Sequence, residues 1–90
     1  MREAARKPGG RMKRVGRLLH RTSRGLVARL EAPQKLGEPL LVRGKGEVGR
    51  IFDLFGPVSR PYALIRPRKG LGEEELASLL GKELYVEGGR

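Results

Sequence analysis

Cysteine, tryptophan and asparagine are absent from this 90-residue chain, and histidine, aspartate and glutamine occur once each, as His20, Asp53 and Gln34. Without cysteine there is neither a disulfide staple nor a thiolate metal site, and the chain suits a reducing compartment such as the cytoplasm. One histidine supplies no His-ligated zinc site, so no metal and no cofactor are expected. No apolar run approaches the roughly 20 residues that span a bilayer, so no membrane partner is expected. The first residues are charged and lack the apolar core of a signal peptide, so no export signal is read. The scarcity of side-chain amides fits a heat-adapted source or, equally, a GC-rich genome.

Charge is plentiful and unevenly placed. The chain carries +10. Residues 1–24 hold nine Lys/Arg against Glu3, a net of +8, while the remaining 66 residues hold eleven against nine acids, a net of +2. Such a cluster attracts phosphates over about one Debye length, roughly 8 Å at physiological salt. Arg11, Lys13, Arg14 and Arg17 are the candidate phosphate contacts. Residues 1–12, with Pro8-Gly9-Gly10 and no apolar period, are expected to form a disordered basic tail, and residues 13–90 a single domain.

Turn chemistry divides that domain into short strands over 13–20, 26–30, 40–43, 47–54, 62–66 and 83–86. Leu26, Ala28 and Leu30 alternate onto one face. Thr22-Ser23-Arg24-Gly25 and Gly44-Lys45-Gly46 read as hairpin turns; the second lacks the spacing of a phosphate loop. The one helix, over 72–80, opens on Glu73-Glu74-Glu75 at the positive end of its dipole. It carries Leu76, Leu79 and Leu80 as an apolar stripe and ends at Gly81. Six short strands and one short helix near the C-terminus predict an all-β fold, a small six-stranded closed or nearly closed barrel. Closure also hides sheet edges.

The rarest residues crowd into Gly49–Pro67, GRIFDLFGPVSRPYALIRP, which holds both phenylalanines and the only aspartate. Pro57 has no N–H for a ladder and restricts Gly56, so a corner is forced there. Ile51, Phe52, Leu54 and Phe55 cannot all point inward from one regular strand, because successive side chains alternate. Either a bulge redirects one of them, or an apolar face stays outside a barrel with no second layer to cover it. The candidate partner surface is Ile51, Phe52, Leu54, Phe55, Gly56, Pro57, Val58, Pro61 and Tyr62.

Gly49, Ile51, Asp53, Leu54, Phe55, Gly56, Pro57, Val58, Pro61, Tyr62 and Pro67 resemble the signature of the Gar family, the small β-barrel subunit of H/ACA ribonucleoproteins that make pseudouridine in RNA. The resemblance runs from about Val15 to Val86 and lacks the Arg-Gly-Gly arrays of eukaryotic members, as in an archaeal version. It implies a non-catalytic subunit that docks on the catalytic pseudouridine synthase subunit and promotes substrate RNA loading and product release. It further implies mostly indirect contact with the guide RNA, a role in rRNA modification and ribosome biogenesis, and a cytoplasmic location (nucleolar in a eukaryote).

Nothing in the residues points to catalysis. His20 has no carboxylate near it in sequence, Asp53 has no second acid at a useful spacing, and no small-molecule substrate is expected. Glu73, Glu74 and Glu75 point different ways from a helix and are read as a helix start. The alternative reading is a basic single-barrel RNA-binding protein that holds phosphates through its N-terminal Arg/Lys cluster. Direct readout by the barrel is disfavoured by its four aromatics and the lack of an RNP-type pattern.

Overall fold

The computed structural model describes residues Gly10 to Gly89, with side-chain surroundings from Met12 to Glu87. Its strands are β1 (Gly10–Thr22), β2 (Gly25–Leu30), β3 (Pro39–Val42), β4 (Gly46–Phe55), β5 (Tyr62–Pro67) and β6 (Glu83–Gly89), with helix α1 (Glu73–Leu79) between β5 and β6. They close into an antiparallel barrel in the order β1-β2-β5-β4-β3-β6, with β6 returning to β1. The all-β barrel and its single short helix are thus as the turn pattern predicts. Of the basic tail expected over residues 1–12, residues 1–9 lie outside the described region. Gly10, Arg11 and Met12 instead pair with Gly89, Gly88 and Glu87, lengthening β1 into a ribbon with β6.

Alternation builds the core. Leu26, Ala28 and Leu30 of β2 are fully buried, as are Ala63 and Ile65 of β5, Leu40 of β3 and Leu84 of β6. Val15 and Leu18 of β1, Val42 of β3, Val48 and Ile51 of β4 and Val86 of β6 add to the apolar interior, and among the described residues none of the buried ones is polar or charged. The β1–β2 turn is held by Thr22, whose Oγ1 accepts from Arg24 N and donates to Gly25 O, both at 3.1 Å.

Strand irregularities decide which side chains leave the core. The β1–β2 register shifts between Leu18 and His20, so Leu19 is the extra residue of a bulge and stands 39% exposed rather than in the apolar set with Val15 and Leu18. Near it Gly16 lies so close to β2 that a Cβ there would meet Arg29 O at 2.2 Å.

The helix differs from its expected stripe. Leu79 is fully buried in the barrel core, Leu76 packs partly against it, and Leu80 faces outward. Seven residues are too few to bury a whole apolar face, so a single leucine anchors the element. Gly72 N–H donates to Glu75 Oε1 at 3.2 Å, and Glu73 forms an ion pair with Arg21 of β1. Gly81 N–H then donates to Leu18 O at 2.8 Å, tying the helix end to β1.

A candidate protein-docking face

The outward side chains of β2, β5 and β4 line up by register. Val27 of β2 lies opposite Leu64 of β5, which lies opposite Asp53 of β4. One step along, Arg29 faces Tyr62, which faces Phe55. Val27 and Leu64 are buried, 8% and 5% exposed, yet neither joins the main core cluster inside the barrel. They pack on the outside, where a single-layer barrel would ordinarily place polar groups. With Phe55, Asp53 and the Thr22–Arg24 turn they line a groove of about 420 Å³.

Aromatic packing fixes the rim of this face. The Phe55 and Tyr62 rings stack with centroids 5.6 Å apart and planes 22° apart, and the Arg29 guanidinium lies 6.0 Å from the Tyr62 ring centre. Phe55 nevertheless remains 47% exposed. Gly56 turns the chain at φ 87°, where a Cβ would meet the Tyr62 ring at 2.9 Å. Glycine is therefore required twice over, by backbone conformation and by space. Beyond it Pro57 is exposed and Val58 is 89% exposed. Water thus meets a run of apolar surface in which three residues, Phe55, Pro57 and Val58, are neighbours in sequence.

The two ways out of the alternation conflict both occur. The β4–β5 register shifts between Ile51 and Asp53, which makes Phe52 the extra residue. Phe52 is half-buried beneath the Arg66 guanidinium, 4.9 Å from its ring centre. Ile51 is 1% exposed and so closed to a partner, while Leu54 is half-buried with its side chain packed against the core. Pro61 is also buried, and its carbonyl accepts from Leu30 N at 2.9 Å. The accessible part of the candidate set is therefore Phe55, Gly56, Pro57, Val58 and the half-buried Phe52 and Tyr62. Val27 and Leu64, buried at the floor of the adjoining groove, are not singled out from sequence. Their only signal there is apolarity on both faces of a strand, in Leu26-Val27-Ala28 and Tyr62-Ala63-Leu64-Ile65.

The candidate phosphate contacts are partly occupied by carboxylates. Arg14 donates to Glu31 at 2.7 Å and lies 3.7 Å from Glu83; the bond to Glu31 raises its pKa above the ordinary arginine value. Arg17 lies 3.5 Å from Glu83. Lys13 is exposed, while the Arg11 side chain lies outside the described ones. His20 is exposed and sits opposite Val27, and Asp53 accepts the Leu54 N–H at 2.9 Å. Among the described residues no group of three His, Cys, Asp or Glu converges as a metal site, and no helix is long and apolar enough to cross a membrane.

No family profile matches the chain. A protein of Methanothermobacter thermautotrophicus, described only as uncharacterised, is 33% identical over 76 residues, covering 83% of each chain. A second uncharacterised protein, from Methanocaldococcus jannaschii, is 39% identical over 51 residues, 56% of this chain and 62% of that one. Among solved structures, the chain is similar to the Gar1 domain of NAf1, with a TM-score of 0.67 over 96% of this chain and 97% of that one. At 16% identity this likeness is one of fold.

Proposed function

We propose, from the premise that this chain belongs to the family of its Methanothermobacter relative, that it is the non-catalytic barrel subunit of an H/ACA-type RNA-guided pseudouridylation particle. The Gar1-like fold and the signature around Phe55-Gly56-Pro57-Val58 support the particle type. The observation that carries the docking role is the exposed Phe55, Pro57 and Val58, with half-buried Tyr62, beside a groove floored by the shielded Val27 and Leu64, all outside the main core cluster. Exposed aromatic and aliphatic residues beside a rigid corner are what a protein partner buries.

In this reading the partner is the catalytic pseudouridine synthase subunit, and the uridine chemistry stays in that subunit. The barrel acts on a mobile, substrate-gripping loop of its partner. It shifts that loop only as far as its affinity for one loop position exceeds its affinity for the other. Preference for the open position speeds substrate RNA loading and product release during rRNA modification. The guide RNA is touched mostly indirectly, and the complex works in the cytoplasm.

The test is capture of the synthase subunit by the purified chain in 1 M salt without RNA. Apolar docking survives there, because the Debye length is only about 3 Å. Loss of the complex at that salt, with RNA captured at low salt, would replace this reading with that of a basic RNA-binding barrel.

A further inference from the structure

On the far side of the barrel, β3 and β6 meet through one register pair, Leu41 opposite Tyr85. Two adjoining concavities of about 410 and 530 Å³ share Val42 and Arg43 and so run as one trough along this seam. Arg43 lays its guanidinium 5.1 Å from the Tyr85 ring centre, and Arg17 and Lys82 line the same trough. The only anion among the lining residues is Glu83. Its Oε2 already faces Arg14 and Arg17, and its Oε1 accepts the Tyr85 hydroxyl at 3.2 Å. A separate concavity between Glu38, Glu47 and Glu87 is acidic, so positive charge is a property of this trough and not of the whole surface.

We infer that the trough over the β3–β6 seam binds single-stranded nucleic acid, with phosphates along Arg17, Lys82 and Arg43 and a base stacked against the Arg43–Tyr85 pair. A cationic groove with a flat π surface is what a single strand recognises without regard to sequence. A duplex hides its base faces and has no use for the ring. Around the ring β6 lies three strands from β5 in either direction, so the trough and the apolar docking face point away from each other. A strand held here leaves the docking face free. The assignment does not rest on the proposed partner, and its test needs the barrel protein alone.

The probe is a fluorescein-labelled oligouridine of about 12 nucleotides, within the range one small barrel accommodates, titrated with the full chain at several salt concentrations. The three phosphate contacts of the trough contribute about −2 to the log–log salt slope, a part that the Arg43/Lys82 variant should reduce. Arg43→Glu with Lys82→Glu should weaken binding more than about tenfold, whereas Arg29→Glu with Arg66→Glu, the same charge change on the docking side, should cost less than about threefold. All four side chains are exposed, so both double variants keep the fold. Tyr85→Ala should cost about tenfold, the scale of one stacked base, and Tyr85→Phe should restore binding because the ring is kept. Equal losses in the two double variants, no loss in the Arg43/Lys82 variant, or equally tight binding of inorganic polyphosphate would each overturn the assignment.

Discussion

Replacing Phe55 with alanine separates docking from folding. Fully burying a phenylalanine stabilises by about 1.5–3 kcal/mol relative to exposure. Phe55 is 47% exposed, so about half of that, near 1 kcal/mol, is already realised in the free barrel. The stack on Tyr62 adds about 0.5–1.5 kcal/mol. The folding cost of Phe55→Ala is then about 1.5–2.5 kcal/mol, below the 3–5 typical of a core phenylalanine. In a domain of this size that lowers Tm by about 6–20 °C, leaving a folded protein at 25 °C. On docking, the exposed half of the ring becomes the anchor. Removing an anchor costs about 2–4 kcal/mol, which raises Kd about 30- to 1000-fold. Calorimetric titration against the synthase subunit, with a thermal melt of the same variant, measures both quantities. A Kd within about fivefold of wild type, alongside the expected drop in Tm, would refute the docking role of this face.

Val58→Ser should leave Tm almost unchanged, since Val58 is 89% exposed, yet weaken capture of the synthase subunit; equal capture would remove Val58 from the interface. Replacing Arg11, Lys13, Arg14 and Arg17 together with glutamine should leave that capture nearly intact at physiological salt, where charges still act over about 8 Å, and its loss would show docking to be electrostatic. Gly16→Ala places a Cβ 2.2 Å from Arg29 O and forces β1 and β2 apart; urea unfolding should report a loss of about 1–3 kcal/mol or more.

Much of the barrel is legible because its turns are chemically marked. Thr22-Ser23-Arg24-Gly25, Gly44-Lys45-Gly46 and Gly56-Pro57 punctuate the strands where the structure does. The site is only half legible, for a geometric reason. Alternation shows that Ile51, Phe52, Leu54 and Phe55 conflict, but not which of them the strand expels. That follows from the β4–β5 register, which places the bulge at Phe52 and keeps Ile51 inside. Val27 and Leu64 become a shared outer patch only once β2 and β5, separated by β3 and β4 in sequence, lie side by side. Leu80 fits a helical stripe by spacing yet faces out, because α1 is short and Leu79 is its only fully buried side chain. Of the trough only Arg17 is marked in the sequence, since Arg43 and Tyr85 meet only across a seam between non-consecutive strands.

The pairing of the first described strand with the last means that the ring closes only after every other strand has been made. Arg17 and Glu83 stand side by side although 66 positions separate them along the chain. Until β6 arrives, both β1 and β3 present a bare edge of unpaired N–H and C=O groups. Closing so long a loop is entropically costly, and topologies dominated by such distant contacts fold in milliseconds to seconds rather than microseconds. On the ribosome the first five strands emerge as an open sheet whose two edges can pair with a neighbouring chain. The interval before β6 docks is therefore when this barrel is most exposed to misassembly.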